Sequence, residues 1–345
     1  MVTFEVLCLN ENLETLGYLK YIIMQWNRRY YECGDFSFQV KTSDFSNDIK
    51  YLYRPGYKEV GMMEKIHTEQ DITGHYVQMS GRFLEGMLDR NVIYPAFVSN
   101  GRPAVISSTI VSRYAEDIPN LVVETPPADD DENVEVSYFG EQLDDATNPL
   151  LKTVERGQRI TFNPDDGTFV HSVWQGVDRT QSQSVNNYAL FSDVAQNTEK
   201  ITIDEDESGY RNYVRIALPS GFIDYDGRKT SDEPRRFLFM DESKSSPAEG
   251  QTEAQWKQSL LSKAKEELQK WVKINNVEAN TLQNGLIYLE DYDLGDKCDI
   301  VSNELQKSYE SRIIEAREVV KEGQFSVEIV FGDKIPTIFE RVKNR

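Results

Sequence analysis

The chain has 345 residues, enough for two or three domains and a sizeable core, and its 39% hydrophobic and 28% charged content is that of a folded soluble protein. A formal net charge of −20, from 58 acidic and 38 basic residues, argues against tight binding to nucleic-acid backbones and against docking on anionic membranes. No apolar run approaches membrane-spanning length, and the start Met1-Val2-Thr3-Phe4-Glu5 lacks a basic signal region.

Val2, Phe4, Val6 and Cys8 alternate with Thr3, Glu5 and Leu7, which predicts a first strand. A second, about Tyr18 to Met24, leads to Trp26-Asn27-Arg28-Arg29-Tyr30-Tyr31 and a turn at Glu32 to Asp35. Phe36, Phe38 and Val40 then share a face. Strands are expected at Val60 to Thr68 and Tyr76 to Ser80, joined by a turn around Asp71 to Gly74. Arg82 to Leu88 reads as a short helix with Ser80 as its N-cap and an apolar stripe of Phe83, Leu84, Met87 and Leu88. The aromatic and arginine cluster could stack on bases or sugars, but strand periodicity and negative charge favour core packing. Arg28, Arg29 and Arg82 are expected to pair with carboxylates, within the chain or at a subunit contact.

In the middle third, Pro103 to Tyr114 fits a helix with Ile106, Ile110 and Tyr114 on one side. Pro126-Pro127 and the acidic run Asp129 to Glu132 make a solvated loop. Asn148-Pro149 is expected to start a helix through Leu150, Leu151 and Val154, stopped by Gly157. Ile160 to Phe162 and Phe169 to Trp174 form a hairpin across Asp165-Asp166-Gly167. A further hairpin is expected between Lys200 to Ile203 and Tyr210 to Ala217. Asp204, Asp206, Ser208 and Gly209 in its turn imitate the start of a calcium loop. An EF-hand, however, needs a glutamate where this chain has Arg215, so a solvated acidic turn is the better reading.

Thr252 and Gln255 form a capping box, and Trp256, Leu260, Ala264, Leu268 and Trp271 hold one helical face to about Val272. The closing segment reads as an antiparallel meander: Leu286 to Glu290, Cys298 to Val301, Ser311 to Val320 and Phe325 to Phe331. In its last strand Phe325, Val327, Ile329 and Phe331 share the buried face.

Several ordered motifs carry a resemblance. They are WNRRYYECGDF from Trp26, SGRFLEGMLDR from Ser80, GVDRT from Gly176, ALFSDVAQNTEKI from Ala189, YRNYVRIA from Tyr210, RRFLFMDESK from Arg235, and DYDLGD from Asp291, before a closing strand that ends Phe331-Gly332-Asp333. In this succession the chain resembles the minor tail proteins, or tail-tip hubs, of siphophages, which are distantly similar to the central hub of contractile baseplates. The resemblance implies an α+β fold with two antiparallel β-barrel-like domains and an α/β insertion domain between them. Residues 1–100 would form the N-terminal barrel-like domain, 101–250 the middle α/β domain, and 251–345 the linker helix and C-terminal barrel-like domain. It further implies a homo-oligomer, a trimer in the assembled tail, with a distal tail protein, a tape-measure protein and tip or receptor-binding proteins as partners. The place would be the virion tail, after folding in the host bacterial cytoplasm. Peptidase or lysozyme domains that some such proteins append are not expected here.

No catalytic, cofactor or metal residue is assigned. His67, His75 and His171 belong to no H-E-x-x-H arrangement, and no G-x-S-x-G elbow or P-loop occurs. Asp291, Asp293 and Asp296 are the best carboxylate candidates, but the resemblance makes their motif a structural bend. Cys8, Cys33 and Cys298 form neither a metal pattern nor a disulfide framework, which suits a reducing compartment. A carbohydrate-binding or carbohydrate-cleaving tail-tip protein and the hub of a contractile injection apparatus remain the alternatives.

Overall fold

In the computed structural model, which describes residues 4–332 except 72, 73, 249, 283 and 305, strands from both ends of the sequence share one sheet. The first part supplies β1 (Leu7–Leu9), β2 (Thr15–Tyr18), β3 (Tyr21–Arg29), β4 (Asp35–Lys41), β5 (Tyr51–Tyr53), β6 (Val60–Asp71) and β7 (Gly74–Phe83). Next come β8 (Phe97–Gly101), α1 (Pro103–Tyr114), β9 (Leu121–Val123), β10 (Val134–Tyr138), α2 (Leu143–Lys152), β11 (Gly157–Asn163) and β12 (Thr168–Trp174). Then follow β13 (Leu190–Ser192), β14 (Thr198–Asp206), β15 (Tyr213–Ala217), β16 (Phe222–Asp226), β17 (Phe237–Asp241) and α3 (Glu253–Leu268). The chain closes with β18 (Ile274–Thr281), β19 (Lys297–Ser302), β20 (Lys307–Lys321) and β21 (Gln324–Gly332).

The large sheet runs β14-β18-β21-β20-β3-β4-β7-β6-β5-β1-β2, with β19 on β20 and β13 on β19. Its hinge is β20. The second half of β20 lies antiparallel to β3, with Glu315 opposite Arg29, Glu318 opposite Trp26 and Lys321 opposite Ile23. The first half pairs with β19. The fold is therefore mostly β, and the two strand-rich blocks are bonded directly to each other.

Period-two patterning sets the faces. In β4, Phe36, Phe38 and Val40 are buried around Trp26, whose ring centroid lies 4.7 Å from that of Phe83 and 5.8 Å from that of Phe36. In β21, Val327, Ile329 and Phe331 enter a second core with Ile300, Ile313 and Phe191, while Phe325 is only half-buried. A third core sets α1 and α2 against Tyr51, Met62 and Leu84. The fourth is a separate layer, α3 on the sheet β16-β15-β17, with Trp256, Leu260, Ala264 and Leu268 against Val214 and Ile216.

Local expectations hold where local chemistry decides. The first helix covers the expected residues, and the Thr252–Gln255 capping box forms at α3. The hairpin of β11 and β12 has the expected turn. Elsewhere the structure corrects the sequence reading. Lys200 to Ile203 does not pair with Tyr210 to Ala217: β14 lies on β18, and β15 lies between β16 and β17. The second helix begins at Leu143, with Asp144 and Asp145 in its first turn, and Pro149 sits inside it. Gly157 opens a strand rather than stopping that helix. Ser80 is a strand residue opposite Ser37, and the following 3-10 helix, Leu84–Arg90, is preceded by Phe83. The second and third strands divide at Leu19-Lys20, so Trp26 to Arg29 lie within β3. Helix α3 stops at Leu268, before Trp271. Leu286 to Glu290 is no strand: Leu289 has φ +70°, and the strand supplied there is β18. Val2, Asp333 and two residues of the turn between β6 and β7 lie outside the described residues.

Candidate functional site

The most unusual chemistry is a buried ionic network where the two blocks meet. Arg28 in β3 is 2% exposed. Its Nη1 donates to Asp293 Oδ1 at 2.6 Å and to the Tyr288 hydroxyl at 2.8 Å, and its Nη2 pairs with Glu59 Oε1 at 2.8 Å. Glu318 in β20 is fully buried. Its Oε2 accepts from Arg54 Nη1 at 2.8 Å and from the Tyr57 hydroxyl at 3.2 Å, while its Oε1 accepts from the Tyr288 hydroxyl at 3.0 Å. The Arg54 guanidinium also lies 3.6 Å from the Tyr57 ring centroid, between it and Trp26 at 5.1 Å.

Burial alone would lower the Arg28 pKa, but Glu59, Tyr288, Asp293 and Glu318 together hold it well above its ordinary value. Burial, then the Glu318 charge, pushes the Tyr57 hydroxyl well up, so it stays a donor. Buried ions persist only when paired in this way. The arrangement offers charge compensation and rigidity.

The sequence motifs converge beside this network. Asp296, 3% exposed, accepts from the Val177 backbone at 2.8 Å, from Arg179 Nε at 2.7 Å and from the Asp293 backbone at 3.0 Å. The GVDRT segment is thereby fastened to the LGD turn. Gly176 lies so close to the Gly295 carbonyl that any side chain there would collide with it, and Gly295 has φ +84°. Tyr30, from the WNRRYY motif, donates to the Glu155 carbonyl at 3.0 Å, and Arg312 reaches Glu155 Oε2 at 2.7 Å.

The expected arginine pairings are present. Arg29 pairs with Asp35 at 2.6 Å and Glu315 at 3.1 Å, and Arg82 pairs with Glu64 at 2.9 Å and with Asp89. Asp293 and Asp296 are brought together, but each holds a turn to an arginine, and Asp291 accepts from the Ile287 backbone at 2.7 Å. His67 and His75 are exposed on neighbouring strands, whereas His171 is buried with Nε2 3.0 Å from Gln158 Oε1. In the acidic turn, Asp206 accepts from the Ser208 backbone at 2.7 Å, and Arg215 is held by Asp224. Among the described residues, no three histidines, cysteines or carboxylates gather as a metal site. The loop Asp129 to Glu132 is less solvated than expected, because Arg102 and Arg156 cover Asp129. The three cysteines are free thiols, and burial raises Cys8 to about 11, so they are poor nucleophiles at neutral pH.

Sequence reading missed Arg54, Glu59, Tyr288 and Glu318. One signal was available: Glu318 stands between Ala316 and Val320 on the buried face of β20.

Two buried groups, Glu85 and His171, titrate in opposite senses. Burial raises Glu85 to about 7, and Glu59 adds to the rise, although the Ile160 backbone donates to Oε1 at 2.8 Å. The folded protein therefore holds this proton more tightly than the unfolded chain. That stabilisation is full below the unfolded carboxyl range of about 4.3 and is lost as pH rises through about 7. Burial lowers His171 to about 4, so its contribution is full above about 6.5 and lost as pH falls towards 4. Glu85→Gln keeps an acceptor for Ile160 without the charge. It is expected to recover on the order of 3 kcal/mol at pH 8 while changing little at pH 4.5. Urea unfolding at the two pH values checks this, and equal shifts at both would refute it.

The family model described as Siphovirus ReqiPepy6 Gp37-like protein matches residues 4–333. The fold is similar to that of the tail protein from Neisseria meningitidis MC58, with TM-score 0.60, 14% identity, and 96% of this chain and 97% of that chain covered. It is also similar to the prophage MuSo2 43 kDa tail protein from Shewanella oneidensis, with TM-score 0.56, 13% identity, and 95% and 98% covered. A segment of 102 residues is 34% identical to an adenine deaminase of Sinorhizobium fredii, covering 29% of this chain and only 28% of that protein. Among the described residues, no helix is long and apolar enough to cross a membrane.

Proposed function

The chain belongs to the Siphovirus ReqiPepy6 Gp37-like family of phage tail proteins, and from that premise we propose that it is the structural hub at the distal end of a siphophage or prophage tail. In this reading it closes the tail tube and links it to tip or receptor-binding proteins, with no catalytic role. The strand-rich blocks 1–100 and 251–345 act as two barrel-like units, and 101–250 is the insertion between them. The observation that carries the reading is the welding of the two blocks into one sheet through β3 and β20, with the ionic network pinned across the joint. Such a rigid joint suits a part that bears load between tube and tip.

Three chains would present six such units, matching a sixfold tube above and a threefold tip below. Heterologous contacts around a closed ring would cover the open sheet edges at β2 and β14. Three chains carry −60 formally (3 × −20), and like charge along a channel keeps passing DNA off the wall. The distal tail protein and the tape-measure protein are the expected neighbours. Mixing the chain with its distal tail protein is expected to give threefold rings by electron microscopy, with no tight duplex DNA binding at low salt. A stable dimer without rings, or tight DNA binding, would defeat the reading.

A further inference from the structure

Two Asn-Gly pairs occur in the sequence, Asn100-Gly101 and Asn284-Gly285. Glycine has no Cβ, so nothing shields its backbone nitrogen from the carboxamide of the residue before it. Both asparagines are exposed, so access to water does not separate them. Backbone constraint does. Asn100 lies in β8 opposite Glu135 of β10, and Gly101 lies opposite Val134. Asn100 Nδ2 donates to Glu135 Oε2 at 2.9 Å. A paired strand is held extended, so the Asn100 carboxamide carbon cannot swing onto the next backbone nitrogen unless β8 leaves β10.

Asn284 stands in the connection between β18 and β19. Gly285 takes the left-handed φ of +79°, and a Cβ placed on it would meet nothing within 4 Å, so the loop is open around the bond that must turn. The Gly285 N–H makes no hydrogen bond among the described residues. One contact holds the Asn284 carboxamide: Nδ2 donates to the Gln196 carbonyl at 3.4 Å, longer than the roughly 2.7–3.2 Å of a good N–H···O bond. We infer that Asn284 is a site of spontaneous deamidation and that the fold spares Asn100. The Gly285 nitrogen gives its proton to solvent and attacks Asn284 Cγ. The new N–Cγ bond closes a succinimide ring, the Cγ–Nδ2 bond breaks, and ammonia leaves with a proton from solvent. Water then opens the ring, at Cγ to give aspartate or at the main-chain carbonyl to give isoaspartate. Either product turns a donor into a carboxylate facing the Gln196 carbonyl, so attraction becomes repulsion. The neighbouring brace, from the Leu282 N–H to the Asn197 carbonyl at 2.9 Å, is expected to loosen. This chemistry is the same whether or not the chain serves as a hub.

Warming the folded full chain at mildly alkaline pH, followed by peptide mass spectrometry, tests it. Isoaspartate is read by enzymatic methyl transfer to its carboxylate. The peptide that holds Asn284 is expected to exchange its amide for a carboxylate at least about tenfold faster than the peptide that holds Asn100. In urea both are expected to convert at similar rates, because unfolding releases Asn100 from β10. The Asn284 rate is expected to rise with pH, since the attacking nitrogen must lose its proton. Asn284→Gln is expected to abolish the signal, because its longer side chain would have to close a larger ring. Amide exchange at Leu282 is expected to quicken in the warmed wild type and in fresh Asn284→Asp, but not in warmed Asn284→Gln. An Asn284 that stays an amide in the folded chain while it converts in urea overturns the inference. Equal rates for the two asparagines in the folded chain overturn it too, by showing that the strand gives no protection. Exchange at Leu282 unchanged after conversion would overturn the loosening of the brace.

Discussion

Glu318→Ala is expected to cost about 3–5 kcal/mol, much of the stability of an ordinary domain. The substitution removes the only ion-pair partner of Arg54 among the described residues, a guanidinium that is 1% exposed, and takes an acceptor from both Tyr57 and Tyr288. The guanidinium would stay charged in a dry site lined by Trp26, Phe4 and Tyr57. Desolvation of that unpaired charge, more than loss of the pair itself, makes the effect large. Glu318→Gln keeps oxygen acceptance and should fall between alanine and wild type. Because Glu318 faces strands of the first block from β20, loss of the pair should also loosen the seam between β3 and β20. Guanidinium unfolding, together with amide exchange at Trp26 and Glu318, reads both effects. An alanine variant within 1 kcal/mol of wild type would show that the network is solvated.

Val327→Asp should be more severe, leaving no soluble folded protein. Val327 is 3% exposed and sits in β21 between β18 and β20, opposite Thr281 and Glu318. Val327 lies in an apolar core with Val277, Ala279 and Ile329, and a buried carboxylate without a paired cation costs on the order of several kcal/mol. Phe325→Asp, two residues earlier on the same face, should be milder. Phe325 is half-buried and meets Phe4 at a ring-centroid distance of 5.0 Å, beside the turn that joins β20 to β21. Soluble yield and melting temperature of the two variants give the comparison. A folded Val327→Asp protein with unchanged melting temperature would mean that the faces of β21 are reversed.

The WNRRYY motif owes its spacing to this joint. In WNRRYY, Trp26 enters the first core, Arg28 the ionic network, Arg29 the pair with Glu315, and Tyr30 the contact with residues 155 and 174. Adjacent residues of a strand point to opposite faces, so one short segment reaches partners on both sides of the sheet. That is why the segment combines aromatics with arginines, a mixture that in isolation resembles a stacking platform.

What the sequence determined by itself was whatever depends on neighbours a few residues away. Period two marked the buried faces of β4 and β21, proline at the first turn placed α1, and Thr252 with Gln255 placed the start of α3. The excess of carboxylates over cations made ion pairing of Arg28, Arg29 and Arg82 a sound expectation. Only the tertiary structure decided which partners meet. Period two says which face of a strand is buried, but not which strand lies beside it. Hence β14 turned to β18 across some 70 intervening residues instead of to the next strand, and β3 found β20 near the other end of the chain. For the same reason Arg28 could be expected to find a carboxylate, while Glu59 and Asp293 as its partners, and Glu318 as the hidden acceptor for Arg54, emerged only once the two ends of the chain were packed together and water was excluded between them.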